Sequence, residues 1–127
     1  MKKEIIICVI VIIIVIALNV FSEKFTNKIM DDIITNLKNV REALITENEE
    51  QMRENIEKVN NEWEENKSKL SIYIEHDELE KIEMYMVELN THIETKEYNM
   101  AIESLDVGVF IIEHTKDKYK LSLKNIF

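Results

Sequence analysis

Residues 5–21 form an apolar run in which Asn19 is the only polar side chain, and beyond it apolar positions recur every three or four residues. As a helix, Ile5–Phe21 would extend about 26 Å, close to the minimum that crosses a hydrocarbon core of about 30 Å. Lys2 and Lys3 precede the run, whereas Glu23, Asp31 and Asp32 follow it. That asymmetry predicts a cytoplasmic N-terminus at residues 1–4, a transmembrane anchor at 5–21 and an extracytoplasmic part at 22–127. A cleaved signal peptide has a shorter apolar region and a small-x-small exit. Here the exit reads Ala17-Leu18-Asn19-Val20-Phe21, with bulky or polar residues where small ones belong. The expectation is therefore an uncleaved, single-pass anchor in the cell membrane, with a cleaved signal and a buried core helix as competing readings.

Phe25, Ile29, Ile33, Leu37, Val40 and Leu44 then share one helical face, with no breaker between them and the anchor. Their spacing predicts one rod from the membrane to about Ile45. Thr46-Glu47-Asn48-Glu49 has the form of a capping box and predicts a turn. In the second helix Met52, Ile56, Val59, Trp63, Asn66, Leu70 and Tyr73 make a coiled-coil-like seam, with Asn66 expected to fix register. Asp77 and Glu80 suggest another N-terminal box, and Leu79, Ile82, Met86, Leu89 and Ile93 mark helix three, which fades at 94–97. Helix four starts near Tyr98 and carries two stripes: Ala101/Ile102, Leu105, Val109, Ile112, and Val107, Phe110, Ile111, His114, Leu121. Being apolar around much of its girth, it is expected to be the most buried helix. Gly108 inside it should mark a close helix contact.

Short connections favour antiparallel neighbours. The fold class expected is all-α, an N-terminal transmembrane helix continuing into an extracytoplasmic up-down antiparallel four-helix bundle with Trp63, Leu89, Leu105, Val109 and Ile112 in its core. Four such passes return the chain to the membrane-proximal end. Leu121, Leu123, Ile126 and Phe127 are there candidates for closing the bundle or touching a membrane partner. Composition agrees: 127 residues hold one Gly and no Pro, which removes the punctuation of hairpins and phosphate loops. A net charge of −9 argues against nucleic acid as a partner. Cys8 alone can form neither an intramolecular disulfide nor a Cys-based zinc site.

The stretch Trp63…Leu70…Tyr73…His76-Asp77-Glu78-Leu79…Leu89, continuing through Ala101…Leu105…His114 to Asn125-Ile126-Phe127, resembles domain of unknown function 4363. This is a bacterial family typical of Clostridia and related Firmicutes. The resemblance extends over nearly the whole chain, apolar run included. It implies a small membrane-anchored helical protein, with another small membrane protein as partner, and it carries over no activity and no cofactor.

His76 and His114, with Asp77 beside the first, invite a metal or acid–base reading. Folding helix three against helix four about residues 96–97 pairs position i with about 193 − i, which brings both histidines to the membrane-proximal end. The expectation is a polar cluster of His76, Asp77 and His114 rather than a metal site, because a metal needs three or four converging ligands. No zinc-protease motif, nucleophile elbow or calcium-loop spacing occurs, so catalysis and cofactors are not expected. With four residues before the anchor, no cytoplasmic output domain is expected either. The function predicted is that of a membrane-anchored extracytoplasmic interaction or structural protein, an accessory to another membrane protein, with self-association open. The alternative is a ligand- or metal-binding accessory domain acting through a partner.

Overall fold

A computed structural model describes the backbone of residues 1–126 and the side chains of residues 1–119. It contains four helices in chain order: α1 (Lys2–Ile45), α2 (Glu49–Leu70), α3 (His76–Glu94) and α4 (Tyr98–Ile126). No strand occurs among the described residues. α1 is one 44-residue helix with two environments. Its apolar first half is exposed throughout, from Ile5 to Leu18. Its second half buries Thr26, Ile29, Met30, Ile33, Ile34, Leu37, Val40, Ala43 and Leu44. The change follows the sequence: an all-round apolar cylinder gives way to an amphipathic one, which can bury only a stripe.

α1 lies between α2 and α4, α3 packs on α4, and α2 meets α3 only lightly. Neighbours run antiparallel. Asp31 pairs with Lys116, and ten residues on Arg41 grips both carboxylate oxygens of Asp106 at 2.8 and 3.2 Å. α3 and α4 pair in the predicted register, Glu78 beside Thr115 and Tyr85 beside Gly108. Trp63, Leu89, Leu105 and Ile112 are buried, while Val109 is half-buried at the edge of the core.

Among the described residues α1, and not α4, buries the most side chains. Val107 and Phe110, on the second stripe of α4, are exposed, Phe110 at 67%. α4 packs on α1 and α3, and the second stripe lies on neither contact.

Two turns are tighter than the sequence suggested. Thr46 is the C-cap of α1, its hydroxyl donating back to Glu42 O at 3.0 Å, and Asn48 is the N-cap of α2, its side chain accepting from Gln51 N–H. The expected capping box at Thr46–Glu49 is thus displaced by two residues. Between them Glu47 adopts φ 53°, and Asn48 N–H reaches Ala43 O while Glu47 N–H reaches Leu44 O, the paired bonds of a Schellman turn. Lys96, at φ 60°, ends α3 in the same way. At the other end of α3 the N-cap is Glu75 rather than Asp77, and no side chain caps it.

Gly108 does sit at a close approach, but a Cβ there would stand 3.4 Å from Tyr85 Cβ, an ordinary contact. Gly108→Ala is therefore expected to stabilise the bundle by up to about 1 kcal/mol through helix propensity. A urea midpoint lowered by this change would show that α3 and α4 have no room to give.

Candidate functional site

The sequence candidates His76, Asp77 and His114 lie toward the end of the bundle at which α3 begins. His76, in the first turn of α3, has an 88% exposed side chain, its Nε2 3.9 Å from Glu80 Oε2. Asp77 is exposed beside it, and His114 is exposed on α4, stacked on Phe110 of its own helix at 6.2 Å. No hydrogen bond joins His76, Asp77 and His114 among the described residues, so the expected polar cluster is not formed. Nor do three or more His, Cys, Asp or Glu side chains converge anywhere among those residues.

Glu78 takes the place intended for that cluster. It precedes the buried Leu79, on the side of α3 that faces α4, whereas positions 76 and 77 lie on the solvent side. Thr115 Oγ1 donates to Glu78 Oε2 at 3.2 Å and Lys118 Nζ to Glu78 Oε1 at 3.3 Å. Three residues earlier, the Glu75 N–H donates to the Tyr119 hydroxyl at 2.7 Å, so α4 satisfies an amide that no side chain of α3 caps. The signal was available: 193 − 78 gives 115, and Thr115 is a fully buried hydroxyl in need of a partner.

Burial pushes the Glu78 carboxyl upward, but Lys118 and Thr115 outweigh it and leave its pKa below the ordinary value of 4.5. A depressed carboxylate stabilises the fold fully above its unfolded pKa, and that contribution is lost as pH falls through the folded value. Wild-type protein should therefore lose stability below pH about 4.5 more steeply than Glu78→Gln. Urea titrations of both at neutral and acidic pH check this; parallel losses would deny Glu78 the role.

A second polar layer joins α2 and α3. Asn60 Nδ2 donates to Asn90 Oδ1 at 2.8 Å, and Asn90 Nδ2 returns the bond at 3.0 Å. Asn66, the expected register residue, is turned back on its own helix, donating to Glu62 O. The reciprocal pair was missed because Asn60 and Asn90 each stand one position past a core residue, Val59 and Leu89, and so off the apolar stripe. Nearby, Glu62 accepts from Asn36, and Glu83 lies 3.5 Å from both Trp63 Nε1 and Lys67 Nζ. At the far end Glu49 meets Lys96 at 3.4 Å and the Tyr98 hydroxyl at 3.1 Å; these two, the hydroxyl first, hold its carboxyl below the usual range.

What the bundle does leave open is an apolar face on the outer side of α3 and α4. Met84 and Val87 are 63% and 60% exposed, and with Tyr85, Ile111 and the charged Glu80, Lys81, Glu83 and Glu88 they line a groove; Val107 and Phe110, on the same helix as Ile111, are exposed as well. Scattered apolar side chains are normal on a surface, whereas a contiguous set is a mark of interaction. The candidates Leu121, Leu123, Ile126 and Phe127 lie outside the residues whose side chains are described.

A family model described as "Domain of unknown function (DUF4363)" matches residues 20–126. The chain belongs to this family. The match covers the bundle and begins at residue 20, so most of the apolar run lies before it, a shorter reach than the resemblance suggested. No curated protein and no solved structure matches the chain. The DUF4363 description names no activity.

Proposed function

We propose that this DUF4363 protein is a non-catalytic, single-pass membrane protein whose helical bundle stands outside the membrane and binds a neighbouring membrane protein through the α3–α4 face. The observation that carries the reading is the division of α1: a stretch long and apolar enough to cross a bilayer has none of its residues buried, yet the same helix runs on without a break to bury nine residues from Thr26 to Leu44 in the bundle. A soluble protein would cover such a stretch; here the only solvent that suits it is lipid. The lysines before it and the acids after it favour a cytoplasmic N-terminus.

The outer face of α3 and α4 fits a helix in a groove. Met84 and Val87 on one side and Val107 and Phe110 on the other present two stripes, and exposed Glu80, Glu88, Glu103 and Glu113 beside them outnumber Lys81, the cation of the groove lining. An acidic rim disfavours a second copy of the same face and suits a partner helix whose apolar stripe is edged by Lys or Arg. Two measurements test the reading. Protease added to intact protoplasts should remove a C-terminal tag; a protected tag rejects the orientation, and an N-terminus missing from the mature protein rejects the anchor. A photo-crosslinker at Phe110 should trap one integral membrane protein that the same group at Glu65, on the far side of the bundle, does not. The same trapping from both sites, or from neither, rejects the face.

A further inference from the structure

The α2–α3 turn is the least obvious part of the surface to be apolar at its tip. Ile74 in it is buried, but Ile72 is 89% exposed, more than any other large apolar residue among the described side chains except Met1. The exposure is not that of a loose loop. Ile72 N–H donates to Lys69 O at 3.3 Å, and Tyr73 and Ile74 N–H both donate to Leu70 O, at 3.0 and 2.8 Å, so the turn is a closed, hydrogen-bonded coil that holds the Ile72 side chain outward.

Its height relative to α1 is fixed by side chains. Lys69 Nζ stands 6.0 Å from the ring centroid of Phe25, and the Tyr73 hydroxyl is pushed up in pKa by burial and then by the charge of Glu23. The turn is thus level with residues 23–25, two to four positions beyond Phe21, which is about 3–6 Å along the helix axis. The interfacial layer on each side of a bilayer is about 5–7 Å thick. At that level the surface carries Phe21, 67% exposed and stacked at 6.2 Å on the 40% exposed Phe25, and the Tyr73–Tyr119 pair at 5.5 Å. Aromatic rings concentrate at this depth in membrane proteins.

Resting on the proposal that residues 5–21 cross the membrane, we infer that the base of the bundle is a second membrane contact, with the α2–α3 turn seating Ile72 in the interfacial layer of the leaflet from which α1 emerges. The ligand is the boundary between headgroups and acyl chains. Glu23, Glu75 and Asp77 at the same end balance Lys24, Lys28 and Lys69, so the contact does not require anionic lipid.

The test uses the full chain in phosphatidylcholine vesicles, on a Cys8→Ser background, with an environment-sensitive fluorophore attached in turn through Ile12→Cys, Ser71→Cys and Glu47→Cys. The probe at 12 should be quenched by nitroxide lipids labelled deep in the acyl chain. The probe at 71 should emit to the blue of its position in detergent-free buffer and be quenched by nitroxides near the headgroup, and the probe at 47 should behave as in water. Adding Ile72→Asp should abolish the blue shift and the quenching at 71 while leaving the urea midpoint unchanged, since Ile72 makes little contact with the bundle. A probe at 71 that matches the one at 47, while the probe at 12 is quenched, overturns the base contact and leaves the anchor standing. An unquenched probe at 12 overturns both together. A signal at 71 that survives Ile72→Asp overturns the role of Ile72.

Discussion

Replacing Val40 with aspartate is expected to abolish the cooperative unfolding transition of the bundle. Val40 has no exposed surface and lies on the α1 stripe between Leu37 and Leu44, both also buried. A carboxylate there has no cation within the surrounding apolar contacts, and an unpaired buried charge costs several kcal/mol. That is of the order of the whole stability of a small domain, about 5–15 kcal/mol. The chain has one tryptophan, Trp63, inside the bundle, so its emission in detergent-solubilised full-length protein follows bundle unfolding without interference from residues 5–21. Phe110→Asp is the control, because an equally drastic change on the exposed stripe of α4 should move the midpoint by no more than about 0.5 kcal/mol. If Phe110→Asp unfolds the bundle and Val40→Asp does not, the order of the helices is wrong.

Truncation of Trp63 to alanine is expected to cost about 3–5 kcal/mol. Its ring is 4% exposed, and Val59 and Leu70, with which it shares the seam, have no exposed surface at all. Removing the indole leaves a cavity that two helices held by so light an α2–α3 contact could partly collapse, which places the estimate toward the lower end of that range. The Nε1 contact to Glu83, at 3.5 Å, is too long to add much. Trp63→Phe should accordingly recover most of the loss, whereas a Trp63→Phe as damaging as Trp63→Ala would show the indole N–H to matter more than its area. Far-UV circular dichroism against urea reads both variants.

Helix identity and partner order were legible because they depend on spacing alone. The stripe Ile29, Ile33, Leu37, Val40, Leu44 is buried as its period requires, and the turn at 95–97 sets the 193 − i register that places Thr115 on Glu78. What was not legible depends on neighbours. A period says which residues share a face but not whether a second helix comes to cover it, and Phe110 was assigned to the interior for that reason. Likewise Asn66 occupies a seam position but finds an acceptor on its own helix, while Asn60 and Asn90, off the seam, find each other. The cap of α2 was displaced by two residues because the left-handed position that normally advertises a helix end as glycine is filled there by Glu47. The candidate cluster failed on a smaller matter, one residue of rotation about α3, which aims Glu78 and not Asp77 at α4.

On the proposal that residues 5–21 cross the membrane, α1, unbroken from residue 2 to residue 45, is a lever as well as a tether. From Ser22 to Ile45 it extends about 36 Å, so a crossing angle of about 20°, ordinary for a membrane helix, would carry the distal turns about 12 Å sideways. Those turns are clasped to each other by Glu49, Lys96 and Tyr98. A force applied at that clasp would reach the membrane as a change of tilt rather than being absorbed by a hinge, and a rotation of residues 5–21 would swing the Met84–Phe110 face around the shaft like a cam.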